Sequence, residues 1–270
     1  MAAQDVTADQ ITDGLRELGV RRGGILLVHS SLSSFGHVVG GAETVVDALL
    51  KAVGPEGTAV VPTHTWDRIN ADNPAFDVRR TPSGVGRITE VFRLREEAVR
   101  GLHPTHSCAA IGPAADRLMA DHHRDVTPCG PHSPYRRLMD EGGQIAFLGV
   151  TLYVNTTYHA LEEEACVGWL FDRFHQLWSV DPEGRRIPVP TRRHTDGLRR
   201  AFTETEPLLE GEGALRRGRI GEAEIRLIEA GPMREIILPR LAEDPFFTLG
   251  RRAARSERRR YERWRESRTI

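Results

Sequence analysis

The stretch Asn155-Thr156-Thr157-Tyr158-His159-Ala160-Leu161-Glu162 carries the strongest chemical signal in the chain. It follows the apolar run Ile145-Ala146-Phe147-Leu148-Gly149-Val150, which predicts a buried strand passing through a polar turn into a helix that starts with His159 and Glu162. Residues three apart share a helix face, so the imidazole and the carboxylate can touch. A carboxylate that holds and polarises an imidazole makes a base that works near neutral pH. Three other segments carry related chemistry. His29-Ser30-Ser31-Leu32-Ser33-Ser34 offers successive hydroxyls and backbone N–H groups between a predicted strand and a predicted helix, donors of the kind that cradle phosphate. Thr81-Pro82-Ser83-Gly84-Val85-Gly86-Arg87 opens a helix with a proline near its start and an arginine one turn in, which also suits an anion. His103-Pro104-Thr105-His106-Ser107 places two imidazoles at the mouth of a strand, so His106 is a second candidate base.

The elements that must position these groups can be read from periodicity. Ile11, Leu15 and Leu18 mark a helical stripe over Thr7–Leu18 with Thr7 or Asp9 as cap. Gly23-Gly24 then breaks to the buried-strand run Ile25–Val28. Gly40–Val53 predicts an amphipathic helix, and Gly54-Pro55-Glu56-Gly57 a turn into the strand Thr58–Val61. Residues 66–82 predict a long irregular loop, the kind that is usually functional or disordered. Further on, the pattern predicts a helix over Gly84–Arg95, a strand over Ser107–Ile111 and a helix over Tyr135–Met139. Beyond Val180 it weakens, to a strand at Ile187–Val189, a helix at Asp196–Thr205, a hairpin over Gly218–Leu227 and a helix over Met233–Leu241. Residues 251–268 predict a basic terminal helix in which Glu257, Glu262 and Glu266 interleave the arginines. Helices alternating with strands make an α/β layer fold, here expected as one domain over residues 1–270.

Composition narrows the function classes. With 270 residues, 39% hydrophobic and 28% charged, the chain can bury a substantial core. A net charge of −1 gives no global attraction to nucleic acid or membrane, and the arginine-rich tail reads as a solvated helix laced with Glu–Arg pairs. No apolar stretch approaches the ~18 residues of a membrane span. Cys108, Cys129 and Cys166 form no Cys-x-x-Cys pair, and Met1–Gln10 has no secretory pattern, so a cytoplasmic protein with reduced thiols is expected. No His-x-x-x-His or His-Glu-x-x-His run occurs, and His122-His123 has no evident third ligand, so no metal is expected.

Read together, these motifs resemble the antibiotic N-acetyltransferase family, the aminoglycoside 3-N-acetyltransferases. The resemblance runs from about Leu15 to Glu164. It is carried by Val28-His29-Ser30-Ser31-Leu32, Gly40-Gly41-Ala42-Glu43, Gly57-Thr58 through Pro62-Thr63, Thr81-Pro82-Ser83 and His103-Pro104-Thr105-His106-Ser107, then by Ser133-Pro134-Tyr135-x-Arg137-Leu138, Leu148-Gly149-Val150 and Asn155-Thr156-Thr157-x-His159-x-x-Glu162. It implies a layered α/β/α-type fold distinct from GNAT acetyltransferases, whose Arg/Gln-x-x-Gly-x-Gly/Ala loop is absent from the sequence. It also implies acetyl transfer from acetyl-CoA to the 3-amino group of a 2-deoxystreptamine antibiotic, conferring resistance, by direct attack in a ternary complex. On this reading His159 is the base and Glu162 orients it. The alternative makes His106 the base and His159 a cofactor contact. Ser30, Ser31, Leu32 and Ser33, supported by Thr81, Pro82, Ser83 and Arg87, face the coenzyme. Thr63, His103, Thr105, His106 and Ser107 lie on the same side, with Thr63, Thr105 and Ser107 as candidate oxyanion donors. Trp66, Asp67, Asn155 and Glu163 face the aminoglycoside. The chain is a monomer or a homodimer on these grounds, with no nucleic-acid or membrane partner. The runner-up is an acyltransferase of the same fold acting on a different amine, distinguished by how acidic its acceptor pocket is.

Overall fold

The computed structural model of the chain describes residues 5–266, with the backbone alone for 264–266. In chain order its first half contains α1 (Ala8–Glu17), β1 (Ile25–Ser30), α2 (Gly41–Val53), β2 (Thr58–Pro62), β3 (Ala75–Asp77), α3 (Arg87–Arg93), β4 (Val99–Arg100), β5 (Cys108–Ile111) and α4 (Ala115–Met119). The second half contains α5 (Pro134–Asp140), β6 (Gln144–Leu148), α6 (Thr157–Glu164), β7 (Phe171–Val180), β8 (Arg186–His194), α7 (Glu206–Gly211), β9 (Leu215–Ile220), β10 (Ala223–Glu229), α8 (Ala230–Glu243) and α9 (Arg251–Glu266).

Seven strands form the main sheet in the order β4-β5-β2-β1-β6-β10-β9. The central three are parallel, with Leu27 of β1 in register with Val60 of β2 and Ile145 of β6; the outer pairings are antiparallel. Successive side chains on a strand face opposite ways, and each central strand feeds two apolar cores. Leu26, Val28, Ala59, Val61, Ala146 and Leu148 join one core with α1, α2 and α3, through residues such as Leu15, Leu49 and Phe92. Leu27, Val60, Ile145 and Phe147 join the other with α4, α5, α6 and α8, through Leu118, Tyr135, Leu161 and Ile237. Every residue of β2 and β6 is buried, as parallel strands covered on both faces should be. This is the layered α/β/α arrangement. Thr7 caps α1, accepting from the Gln10 amide while the Gln10 side chain accepts from the Thr7 N–H, a reciprocal pair that fixes the start of the helix.

Several elements differ from the sequence expectation. β1 continues through His29 and Ser30, so the polar turn begins at Ser31. α3 starts at Arg87 because Gly86, at φ 123°, cannot be helical, so Arg87 opens the helix instead of standing one turn in. α6 opens at Thr157, two residues before His159. The strand expected at Ile187–Val189 is the opening part of the longer β8, and its neighbour β7 was not anticipated. The two pair with β3 in a second sheet, β3-β7-β8, where β3 lies inside the 66–82 loop. No helix forms over Asp196–Thr205. Gly197 turns the chain at φ 76°, and only a 3₁₀ turn follows at Phe202–Thr205. The basic tail is helical as α9; residues 267–268 of that expectation lie outside the described residues. Among the described residues no helix is long and apolar enough to cross a membrane.

Candidate functional site

β1 and β6 are adjacent and parallel, yet the chain leaves β1 for α2 on one face of the sheet and β6 for α6 on the other. Divergence of this kind opens a crevice at the carboxyl ends of the strands. A cavity of about 450 Å³ lies there, walled by the end of β1 (Val28, His29, Ser30), by Pro62 at the end of β2 and His64 just past it, by the turn from Val150 to His159, and by residues from Arg193 at the end of β8 to Arg200 beyond it. The turn after β6 demands glycine. Gly149 has φ 68°, and a Cβ there would lie 1.6 Å from Ser34 Oγ.

The imidazole and carboxylate expected to touch do so. His159 Nδ1 and Glu162 Oε2 are 2.6 Å apart on α6, with the Glu162 side chain fully buried. The other carboxylate oxygen, Oε1, accepts the Thr248 hydroxyl at 2.5 Å. With Nδ1 held by Glu162, Nε2 is the ring nitrogen left for proton transfer. Burial holds His159 well below the ordinary imidazole range, and the Arg200 guanidinium adds to this. The start of α6, two residues away, acts in the same sense through the helix dipole. Burial pushes Glu162 up to about 7, opposed by Arg200 and by the Thr248 hydroxyl. Burial disfavours charge on either partner, so above about pH 7 the pair is a neutral ring whose Nδ1–H donates to the ionised Glu162 carboxylate. Arg200 stacks over Trp169 at 4.8 Å, and its Nη1 is buried without a hydrogen-bond partner among the described residues.

Five histidines line the cavity: His29, His64, His106, His159 and His194. The His194 ring lies 4.3 Å from His159 and 5.2 Å from His106, and His64 lies 4.8 Å from His106. His64 Nε2 meets Tyr135 Oη at 2.6 Å, and His194 Nε2 meets Glu163 Oε1 at 2.8 Å. Burial lowers His29 and His64 to about 3 and His194 to about 4, and holds His106 well below its usual range. At neutral pH the cavity therefore presents uncharged imidazoles. Its formal charges are Asp196 against Arg193 and Arg200.

A second cleft lies on the α2–α3 face and shares Ser30 with the first. Ser30, Ser31, Leu32, Ser33 and Arg87 line it, together with Gly41 and Gly86 at the starts of α2 and α3. Five residues expected near a coenzyme are thus brought together. Others are held in the scaffold. Ser83 Oγ bonds Thr89 Oγ1 and its N–H donates to Glu90; Thr81 Oγ1 accepts from the Asp77 N–H; exposed Pro82 lies between them. Thr63 and Ser107 exchange hydrogen bonds across β2 and β5. His103 stacks on His122 at 4.6 Å and accepts from the amides of Thr105 and His106. The Thr105 hydroxyl meets His106 Nδ1 at 2.9 Å. On the acceptor side, Trp66 and Asn155 line the first cavity. Asn155 lies just before the Thr156 cap of α6, its Oδ1 accepting from the Thr157 N–H. Asp67 packs against Gly84 and Arg68, and Glu163 lies behind His194.

Sequence reading did not anticipate His64, Tyr153, His194, Asp196 or Arg200 in this wall. His64 was findable, since a polar residue just past a predicted parallel strand falls at the ligand end of the sheet. His194 and Arg200 carry no local motif and reach the cavity only through the β7–β8 sheet and the turn that follows it.

A carboxylate-held imidazole at the strand-end crevice of an α/β/α protein is an arrangement that can take a proton from a bound ligand. A sequence profile described as aminoglycoside 3-N-acetyltransferase matches residues 27–241. The chain belongs to the aminoglycoside 3-N-acetyltransferase family. It is 32% identical to aminoglycoside N(3)-acetyltransferase IX of Micromonospora chalcea, over 84% of this chain and 90% of that one, and 34% identical to enzyme VIII of Streptomyces fradiae, over 85% and 89%. Among solved structures it is similar to aminoglycoside acetyltransferase AAC(3)-Xa, at TM-score 0.79 and 31% identity over 88% of this chain and 93% of that one. It is likewise similar to a variant of AAC(3)-IVa in complex with a gentamicin, at TM-score 0.81 and 29% identity over 93% of each chain.

Proposed function

We propose that the protein transfers the acetyl group of acetyl-CoA to the 3-amino group of a 2-deoxystreptamine aminoglycoside, in the cytoplasm, and so confers resistance. The observation that carries this reading is the His159–Glu162 pair, poised over a cavity in a chain of this family. Relatives with a gentamicin or sisomicin bound support the acceptor class.

An aminoglycoside amine is mostly protonated at neutral pH and has no lone pair until a base removes the proton. In the proposed reaction the ammonium gives up that first proton to solvent on entering the site, and His159 Nε2 takes a second proton from the free amine as its nitrogen attacks the thioester carbonyl carbon. The C–S bond of the tetrahedral adduct then breaks, and coenzyme A leaves as thiolate. Glu162 holds Nδ1–H and offsets the imidazolium charge as it forms; a positioned base of this kind contributes about 10²–10⁴ in rate. Coenzyme A occupies the cleft of Ser31, Leu32, Ser33 and Arg87, and the acceptor enters past Trp66 and Asn155. Ser30, shared by both cavities, marks where the two substrates meet. Direct attack in a ternary complex fits this layout. Cys108 supplies no covalent alternative, since burial pushes its thiol up to about 12.

One observation favours a second reading, an acyltransferase of the same fold acting on a less cationic amine: Asp196 is outnumbered by Arg193 and Arg200 in the cavity wall. Thiol release from acetyl-CoA, measured against gentamicin, tobramycin, neomycin, apramycin and one derivative blocked at the 3-amino group, decides between them. The proposal expects turnover on free amines and none on the blocked one. Acetyl-CoA binding without turnover on any of them moves the acceptor elsewhere, and no acetyl-CoA binding at all overturns the reaction.

A further inference from the structure

Behind the His159 ring, three side chains from separate parts of the chain converge. Cys129 precedes α5, Glu163 sits on α6 and His194 ends β8; a ligand atom of each lies within 4.8 Å of the others. Cys129 is fully buried, and the Glu163 and His194 side chains are 7% and 8% exposed. Glu163 Oε1 is the hub, accepting the Cys129 N–H at 2.8 Å and facing His194 Nε2 at 2.8 Å.

The reaction proposed above uses none of these three groups, and the protein alone does not balance them. Among the described residues, His194 is the one ion-pair partner of Glu163. A histidine is no permanent cation, so among the described residues the Glu163 carboxylate is a buried charge with no fixed counter-charge beside it. Such a charge is costly unless paired or bound to a metal. His194 Nδ1 is also buried without a hydrogen-bond partner among the described residues. A thiol, a carboxylate and an imidazole in one dry pocket are the ligand set of borderline divalent metals.

We propose that Cys129, Glu163 and His194 form a binding site for a divalent transition-metal ion, with Zn²⁺ the best match. One thiolate and one carboxylate neutralise the double positive charge. On binding, the Cys129 S–H bond breaks and an S–metal bond forms, its proton passing to solvent. The His194 ring proton moves to Nδ1, freeing the Nε2 lone pair. A fourth position is left to water or to the Thr156 carbonyl oxygen, 3.9 Å from Sγ. The ligands lie 34 and 31 residues apart, far from any local metal motif, and the ion would tie the β7–β8 sheet to the layered body. The inference does not depend on the acetyl-transfer reading, because its test does not measure turnover.

The test uses the full-length Cys166→Ala protein, which removes the exposed thiol. The protein is stripped with a chelator, checked for retained circular dichroism and titrated with Co²⁺. The expected result is one equivalent bound with a thiolate-to-cobalt absorption band, displaced by Zn²⁺, with one proton released per ion. The band should vanish in Cys129→Ser, and affinity should fall about tenfold or more in Glu163→Gln. A folded protein that takes up no stoichiometric Co²⁺ or Zn²⁺ overturns the site, as does a band that survives Cys129→Ser. If Cys129→Ser does not fold, His194→Gln replaces it: Zn²⁺ should raise the Tm of the parent and not of the variant, and an equal rise in both overturns the site.

Discussion

Replacing Glu162 with glutamine keeps the shape of the site and removes one charge, so activity and stability should move in opposite directions. In the proposed reaction the carboxylate faces an imidazolium as the base takes its proton, across a 2.6 Å contact. Unit charges about 4 Å apart attract by about 4 kcal/mol at an effective dielectric of 20. The glutamine oxygen still accepts from Nδ1–H and recovers part of this, leaving a loss of roughly 2–4 kcal/mol. That corresponds to about a 30- to 1000-fold fall in kcat/KM. Stability should go the other way. Glu162 is raised from 4.5 to about 7 by burial. Below 4.5 the folded and unfolded chains both hold the proton and nothing is lost. Between 4.5 and about 7 the unfolded chain releases it first, so the native state weakens as pH rises, by up to roughly 3 kcal/mol above pH 7. Glutamine abolishes this, and Glu162→Gln should match the wild type near pH 4 and exceed it at pH 8. The measurements are thiol release across pH and urea melts at pH 4 and pH 8. Wild-type kcat/KM should rise through about pH 7 as the pair ionises, a limb the variant lacks. A variant within threefold of wild-type activity, or one that is less stable at pH 8, refutes the reasoning.

His159→Ala should lower kcat by about 10²–10⁴ with acceptor and acetyl-CoA saturating, and His106→Ala by clearly less; the reverse order in thiol-release assays transfers the base to His106. Cys108→Ala should keep turnover within a few-fold in the same assay, because a thiol held at about 12 supplies no thiolate at neutral pH. Gly149→Ala should destabilise the protein by roughly 3 kcal/mol or more, from a disfavoured φ and a collision with Ser34. Thermal melts should show Tm lower by about 5–10 °C, and an unchanged Tm means the turn after β6 relaxes freely.

The parts of the fold legible in the sequence are those whose burial is periodic. β1, β2 and β6 are continuous apolar runs because helices cover both their faces, and α2 shows its stripe because one side meets the sheet. β7 was missed for a physical reason. Its register shifts between Phe171 and Phe174, and a bulge breaks the period-2 alternation on which strand reading depends. β3 is three residues long, held by pairing with β7, and nothing local marks it. The site divides in the same way. His159 and Glu162 are one helical turn apart and visible in a line of sequence. Thr248 and Arg200 act on that pair from 86 and about 40 residues away, and His194 packs against its ring from about 35, through contacts only the tertiary fold creates.

The hydroxyl on Glu162 comes from Thr248, beyond residue 241 where the family profile ends. The stretch that carries it is bound to the Arg200 segment by backbone pairing: the Ala201 N–H donates to Thr248 O at 2.7 Å, the Gly250 N–H donates to Arg199 O, and Arg200 and Leu249 form an antiparallel bridge. Thr248 and Arg200 are the two neighbours that lower the pKa of the carboxylate against its burial. The Thr248 segment therefore acts as a trimming weight on the carboxylate that holds the proposed base. A single exchange at Thr248 would shift the pH at which that carboxylate ionises while leaving the His-x-x-Glu turn untouched.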